Sequence, residues 1–148
     1  MKASYPRIAR LLVPLDFSGQ SRQALRYAVP IAQKFRARII LVHVIQPTYR
    51  NAPGVTLLTL DYAKLKQKAE RRLADMAARL LSKDLHERNI VRIGTPHTEI
   101  LWTAGTLKVD MIVLATHGRT GLKRFVLGST AEQVMRHAEC PVLSVRRR

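Results

Sequence analysis

The sequence predicts an α/β fold in which strands and helices alternate along one chain of 148 residues. Short apolar runs, rich in β-branched residues, are separated by segments with helical periodicity. This alternation is typical of βαβ units, whose right-handed crossovers place parallel strands side by side in one sheet. The length suits a single domain over residues 1–148, because two domains would each have a cramped core.

Five apolar runs are predicted to be strands. Four of them are continuously apolar, as expected for strands that are buried on both faces of a parallel sheet. The run at 89–94 is weaker and is typical of a less buried strand at a sheet edge. The predicted strands cover residues 8–15, 37–45, 89–94, 111–115 and 141–145.

Four segments have helical periodicity, at residues 20–36, 57–82, 97–108 and 130–138. Pro30 lies inside the first segment and is expected to kink or shorten that helix, because proline removes a donor and crowds the preceding turn. The long segment 57–82 has an apolar stripe with Lys and Arg mostly beside it. A cationic amphipathic helix can lie on a membrane surface, although such a stripe is more commonly the core face of a surface helix.

The charge of the chain is unusual. It has 26 Lys and Arg against 10 Asp and Glu, a formal net charge of +16. Such a field attracts nucleic acid, anionic lipid or nucleotide phosphates, and a solvated basic surface without any partner is the alternative. Aromatic residues make up only 5% of the chain, which argues against a surface that stacks bases.

The same composition bears on the compartment. No apolar run approaches the ~18 residues that a membrane span needs. The lone Cys140 excludes an internal disulfide and is interpreted as a small core residue, not a nucleophile. A reducing, cytoplasmic location is therefore expected.

The segment 114–134, LATHGRTGLKRFVLGSTAEQV, joins the fourth strand to the last helix and is both glycine-rich and basic. Its three glycines are Gly118, Gly121 and Gly128. Glycines let backbone N–H groups approach an anion, and a following helix offers free N–H groups and a positive dipole end. A capping box between Ser129 and Glu132 is a competing interpretation that needs no ligand, although both can hold, since a cap hydroxyl can also face a phosphate.

Signatures of catalysis are weak. The sequence has neither a P-loop nor a dinucleotide-binding glycine fingerprint. No histidines pair at metal-ligand spacing, and no nucleophile and base are recognisable as a pair. His43, in the middle of an apolar run, is interpreted as a satisfied core or strand-end histidine. Ligands of open parallel sheets bind beyond the carboxyl ends of the strands, where Asp16 and the glycine-rich segment are expected to lie.

The glycine-rich segment resembles the universal stress protein family, whose nucleotide-binding members carry G-x-x-G, nine residues, then G-[ST]. Here residues 115–118 are followed by nine residues and Gly128-Ser129, with Ala115 in place of the family's first glycine. LLVPLDFS, LVHVI and GTPHTEIL extend the likeness to nearly the whole chain. The resemblance implies a doubly wound, five-stranded parallel sheet with helices on both faces, of the adenine-nucleotide alpha-hydrolase-like type.

The resemblance also implies a ligand and an assembly. An adenine nucleotide, usually ATP and otherwise ADP or AMP, would lie across the strand ends with Mg held by phosphates and water. Pro14 and Asp16 would flank the nucleoside, and Val44 would meet the adenine. The residues implied around the phosphates are Ala115, His117, Gly118, Arg119, Gly121, Gly128, Ser129 and Thr130. A homodimer would form through the C-terminal strand, unless the arginines of that strand protect its edge.

Three functions remain open from the sequence. The first is an ATP-binding stress-response regulator that acts through its nucleotide state without rapid catalysis. The second is a nucleotide-independent member that binds nucleic acid or an anionic surface through its basic face. The third is an enzyme, at most a slow ATPase or a phosphotransferase, which would need a general base or a metal cage that the sequence does not reveal.

Overall fold

The computed structural model describes residues 7–47, 61–116 and 127–146, in which strands and helices alternate as predicted. The elements in chain order are β1 (Arg10–Pro14), α1 (Gly19–Phe35), β2 (Arg38–Ile45), α2 (Tyr62–Leu80), β3 (His86–Ile93), α3 (Pro96–Thr106), β4 (Met111–Ala115), α4 (Ser129–His137) and β5 (Val142–Val145).

The five strands form one parallel sheet in the order β3-β2-β1-β4-β5. The chain builds outward from β1 to β3 and then crosses back to add β4 and β5 on the other side of β1. The direction of winding therefore reverses between β1 and β4, where the two carboxyl ends leave a crevice. The predicted five-stranded parallel α/β fold is confirmed.

The core has two layers because successive strand side chains point to opposite faces of the sheet. Leu11 and Val13 of β1 pack with the apolar faces of α1 and α2. Leu12, between them, packs with α3 and α4. Helices α1 and α2 thus cover one face of the sheet, and α3 and α4 cover the other, which is the doubly wound arrangement.

The strand β3 lies at an edge and is less buried than β1 or β2, as predicted. It begins at His86, before the predicted start at residue 89. The polar beginning of β3 still pairs with β2, because His86 lies opposite Ile39 and Arg38 donates a 2.6 Å hydrogen bond to the His86 carbonyl. Backbone pairing here overrides a sequence with little apolar character.

The expectation that Pro30 shortens the first helix is wrong, because α1 continues past it to Phe35. Pro30 is exposed, so water can hydrate the Arg26 carbonyl that loses its helical partner. Residues 57–60 of the second predicted helix lie outside the described residues. No helix in the described ranges is long and apolar enough to cross a membrane.

Candidate functional site: a cleft beyond β1, β2 and β4

A cleft of about 760 Å³ opens at the carboxyl ends of β1, β2 and β4, beside the reversal in winding. Its volume lies within the ~300–1,000 Å³ that small-molecule sites occupy. Side chains of α2 and α3 and the first turn of α4 complete its walls. Seven residues that the sequence assigned to a nucleotide site line this cleft: Pro14, Asp16, Val44, Ala115, Gly128, Ser129 and Thr130.

Four further residues from that set, namely His117, Gly118, Arg119 and Gly121, lie outside the described residues. The two ends of the glycine-rich segment are nevertheless joined. The Gly128 N–H donates a 2.8 Å hydrogen bond to the Thr116 carbonyl, and the Thr116 N–H donates a 3.1 Å bond to the Val145 carbonyl. These bonds hold the exit of β4 and the start of α4 at the same wall of the cleft.

The exit of β1 is a hydrogen-bonded turn. A carboxylate oxygen of Asp16 accepts the Ser18 N–H at 2.9 Å, and the Ser18 hydroxyl accepts the Ser21 N–H at 3.1 Å as the N-cap of α1. Phe17, which lies between Asp16 and Ser18, has a left-handed backbone with φ 65°. A residue without the freedom of glycine rarely adopts this conformation, and such positions cluster at functional sites.

The carboxyl of Asp16 stays ionised at neutral pH. Its partial burial would raise the pKa, but hydrogen bonds from Ser18 and Ser21 outweigh the burial and hold the pKa below its usual value. Hydrogen bonding to the charged form is thus the deciding influence. Asp16 therefore offers the cleft a charged acceptor whose orientation is fixed by its own turn.

The first turn of α4 points into the same cleft and is open. Gly128 is the N-cap, and no described side chain caps this helix. The N–H groups at the start of an α-helix have no partner within the helix, so those of Ser129, Thr130 and Ala131 are available to a ligand. The positive end of the helix dipole adds to this preference for an anion.

The capping box predicted for Ser129 and Glu132 is wrong. Ser129 is the first residue of α4 and not its N-cap, so Glu132 lies one residue too far along to return the bond. Glu132 instead forms a 2.9 Å ion pair with Arg136, one turn further on. The interpretation that needed no ligand at this helix start is thereby removed.

Ala115, which replaces the family's first glycine, is the last residue of β4. It pairs with Val145 of β5 and has no positive φ. An extended backbone accommodates alanine as readily as glycine, so the methyl group costs no backbone strain at this position.

The exit of β2 supports an aromatic stack at the cleft. His43 approaches the Leu15 carbonyl with Nδ1 at 2.6 Å, and its ring lies 4.3 Å from the ring of Phe17. The guanidinium of Arg72, from α2, lies 4.0 Å above the Phe17 ring on a cation–π contact. The interpretation of His43 as a satisfied strand-end histidine agrees with these contacts.

Two cations that line the cleft were not assigned to it from the sequence. Lys68 and Arg72 line it from α2, four residues apart, next to Leu65 and Ala69 of the same wall. From the sequence, Lys68 was expected only to lie beside the apolar stripe of a long helix, and Arg72 was not singled out. The spacing of four residues, with apolar residues three positions before each, was the available signal that both face one site.

A metal-binding cluster and a reactive thiol are two features that would point to catalysis. Within the described ranges there is no group of three His, Cys, Asp or Glu side chains that could hold a metal ion. Cys140 is half-buried, and burial raises the pKa of its thiol, which disfavours the nucleophilic thiolate.

The sequence model of the Universal stress protein family matches residues 8–146. The chain belongs to this family. Universal stress protein MJ0531 of Methanocaldococcus jannaschii is 31% identical over 139 residues, which cover 93% of this chain and 82% of that protein.

Solved structures share the fold. That of protein MJ0577, from the same organism, matches with a TM-score of 0.82 and 30% identity over 97% of this chain and 99% of that one. A universal stress protein solved in complex with cAMP matches with a TM-score of 0.68 over 95% of this chain and 98% of that one. Its identity is 23%, so this second likeness shows the fold alone.

Proposed function

We propose that the cleft binds an adenine nucleotide, ATP first of all, and that the protein is a cytoplasmic stress-response regulator that acts through its nucleotide state. The observation that carries the proposal is the uncapped start of α4, which lies in the same cleft as the ionised Asp16. A nucleotide has negatively charged phosphates at one end and ribose hydroxyls towards the other. The open start of α4 suits the phosphates, and the charged acceptor Asp16 suits a ribose hydroxyl.

The phosphates are assigned to the start of α4. Backbone N–H groups of Ser129, Thr130 and Ala131 would donate to phosphate oxygens, and the hydroxyls of Ser129 and Thr130 would add donors of their own. Lys68 and Arg72 supply positive charge from the opposite wall. His117, Gly118, Arg119 and Gly121 join this set on the family resemblance.

The nucleoside is assigned to the exits of β1 and β2. The Asp16 carboxylate would accept a ribose hydroxyl, because it is ionised and already oriented by Ser18. Pro14 and Val44 offer apolar surface to the base, and both line the cleft at half-buried positions.

Turnover is proposed to be slow. Magnesium would be held by the phosphates and by water. Among the described cleft residues, His43 is engaged with the Leu15 carbonyl and with Phe17, and the Asp16 carboxylate accepts the Ser18 N–H and is assigned to the ribose, so neither is assigned as a general base. The proposed role is therefore binding with a nucleotide-dependent state, and at most incidental hydrolysis.

A homodimer through β5 is the proposed assembly. The carbonyls of Pro141 and Val145 accept from the β4 side, so the alternating residues Val142 and Ser144 turn their backbone groups to the opposite edge. Replacing Ser144 with proline removes one of those outward N–H groups without touching the pairing with β4. Sedimentation velocity should show a dimer for the parent and a monomer for Ser144→Pro; a parent monomer would contradict the assembly.

The experiment that tests the proposed function is a calorimetric titration of nucleotide-stripped protein with Mg-ATP, Mg-ADP and AMP in turn. We expect micromolar binding of ATP, with no more than slow release of phosphate in a parallel assay. An absence of binding by all three nucleotides would overturn the proposal. Fast hydrolysis of ATP would show that the protein is an enzyme and would contradict the proposed role as a regulator.

A further inference from the structure

The two helical layers of the molecule differ sharply in charge. Helices α1 and α2 carry nine Lys or Arg side chains against two carboxylates, those of Glu70 and Asp75. Helices α3 and α4 carry one, Arg136, against the carboxylates of Glu99 and Glu132. Among the four described helices, the positive charge is therefore concentrated on α1 and α2, whose exposed faces we call the basic layer. Its cations are Arg22, Arg26, Lys34, Lys64, Lys66, Lys68, Arg71, Arg72 and Arg79.

The charges of the two layers also differ in their partners. On the α3 and α4 side, Arg92 pairs with Glu99 at 2.8 Å and Arg136 pairs with Glu132 at 2.9 Å. In the basic layer, within the part of the chain that the structure describes, only Lys64 has an ion pair, a 3.2 Å contact with Asp61. All nine cations are exposed. The segments outside the described residues, 1–6, 48–60, 117–126 and 147–148, contain no Asp or Glu, so they bring no carboxylate that could neutralise this layer.

The shape of the basic layer favours nucleic acid over a membrane. The apolar faces of α1 and α2 are buried against the sheet, with Leu25 and Leu73 both at 0% exposure. A helix that binds a lipid surface needs such a face to insert, and here that face is already used. What α1 exposes instead is cations together with two aromatic rings, Tyr27 at 51% and Phe35 at 52%.

Exposed aromatic rings among cations are the elements of single-stranded nucleic-acid binding. Bases stack on the rings, and the phosphates lie along the cations without sequence preference. At 1.5 Å per residue, α1 and α2 are about 25 and 28 Å long, which is enough to follow several nucleotides. The 5% aromatic content, which argued against stacking, is low overall but places two rings on this layer.

We propose that the basic layer, formed by the exposed faces of α1 and α2, is a binding surface for single-stranded nucleic acid. Lys and Arg contact the phosphates, and Tyr27 and Phe35 stack bases. Lys68 and Arg72 belong both to this surface and to the wall of the proposed nucleotide cleft, but Arg22, Arg26, Lys66 and Arg71 do not line that cleft, so most of the surface is separate from it. If about six phosphates are contacted, the logarithm of the affinity falls with the logarithm of salt concentration with a slope of roughly −4.

The test is fluorescence anisotropy of labelled oligo(dT) and oligo(U), about 20 nucleotides long so that they exceed the helices, titrated with the full chain at several salt concentrations. The test variant combines Arg26→Glu with Arg71→Glu, one change on each helix. The matched control combines Lys108→Glu with Arg136→Glu, which alters the net charge equally but lies outside the basic layer. A third variant combines Tyr27→Ala with Phe35→Ala. Thermal melting by circular dichroism confirms that each variant folds.

We expect the test variant to lose at least tenfold in affinity and the control to lose less than threefold. The aromatic variant should lose several-fold with an unchanged salt slope, because stacking releases no counterions. Equal losses in test and control would overturn the proposal, since net charge alone would then explain the binding. Complete displacement of the oligonucleotide by Mg-ATP would show that the oligonucleotide binds in the cleft, and this result would also overturn the proposal. Binding to phosphatidylserine vesicles without binding to oligonucleotides would assign the layer to a membrane instead.

The outcome is separable from that of the nucleotide proposal. The oligonucleotide is tested at the basic layer with variants that spare the cleft, whereas Mg-ATP is tested by calorimetry in the cleft. If the parent protein fails to bind either the oligonucleotide or Mg-ATP, the measurement with the other ligand can still be interpreted.

Discussion

Two helices start at the same edge of the sheet, and their first turns are built differently. The start of α1 is closed, because Ser18 caps it and the Asp16 carboxylate in turn accepts the Ser18 N–H. The start of α4 is open, because Gly128 has no side chain to offer and no described side chain takes its place. One helix start satisfies its own donors, and the other leaves them for a ligand.

The difference follows from a few side chains. An aspartate and a serine two residues apart close the first turn from within, and they leave one carboxylate in the cleft. At α4, a glycine followed by two small hydroxyl residues leaves the first helical turn without a side-chain cap but with room for an anion. The same backbone geometry therefore presents a negative group at one wall and a positive end at the other.

The largest effect is expected from a negative charge at the open start. Thr130→Asp should weaken Mg-ATP binding by roughly 100-fold or more, because a carboxylate would take the place of the phosphates and repel them. The same change should leave the helix as stable as before or stabilise it by up to ~1 kcal/mol, since the dipole favours an acidic residue there. Calorimetry and thermal melting measure the two effects, and Thr130→Asn is the neutral control.

A loss of both binding and stability in Thr130→Asp would contradict an open helix start. So would equal binding by the Asp and Asn variants, because charge would then have no role at that position.

The next effect concerns Asp16. Asp16→Asn should weaken nucleotide binding by about tenfold, because a neutral amide accepts a weaker hydrogen bond than a carboxylate. It should also change the acid response of the fold. The folded pKa of Asp16 lies below the ordinary value of 3.8, so its stabilising contribution is present above about that pH and is lost as the pH falls through the folded pKa.

The measurement for Asp16 is urea unfolding of the parent and of Asp16→Asn at neutral pH and in mild acid. The parent should be the more stable at neutral pH, and the difference should shrink as the pH falls below about 4. A difference that grows in acid would show that burial, and not the hydrogen bonds from Ser18 and Ser21, decides the pKa of Asp16.

A pair of alanine variants compares the two helix starts directly. Ser18→Ala should destabilise the protein by about 1 kcal/mol, since it removes the cap of α1, and should change ATP affinity little. Ser129→Ala should change stability by less than ~0.5 kcal/mol, because no cap is lost, while ATP affinity falls several-fold. Chemical unfolding and calorimetry should therefore show a loss of stability in Ser18→Ala and a loss of ATP affinity in Ser129→Ala. If both variants lost the same property, the two helix starts would not differ in the way described.

The smallest effect is expected at Ala115. Restoring the family's glycine with Ala115→Gly should change ATP affinity by less than about threefold, because Ala115 is extended within β4 and its methyl group costs no strain. A large gain in affinity would show that the methyl group does obstruct the phosphates.

Much of the fold could be predicted because apolar runs determine buried strands directly. The runs at 8–15, 37–45 and 111–115 correspond to β1, β2 and β4, which are paired on both sides. The start of β3 could not be located in the same way, since His86 is held by pairing with β2 and not by burial. The shortening expected at Pro30 was wrong because the penalty for proline depends on whether the displaced carbonyl reaches water, which cannot be read from the sequence.

The site was predicted less completely, for two physical reasons. A capping box depends on which residue is the N-cap, and a shift of one position separates Ser129 from that role. Lys68 and Arg72 come from a helix distant in sequence from the strand ends, so their place in the cleft depends on how α2 packs. The residues at the strand ends were predictable because the rule for open parallel sheets locates them without knowledge of packing.

The most direct test of the open helix start is an amide-resolved NMR titration of the parent protein with Mg-ATP. The largest chemical-shift changes should fall on the N–H groups of Ser129, Thr130 and Ala131, with smaller changes at Asp16 and Val44. The amides of Lys66 and Arg71, in the basic layer, should not move. Shifts centred on the basic layer, with the first turn of α4 unchanged, would contradict the assignment of the phosphates to that helix start.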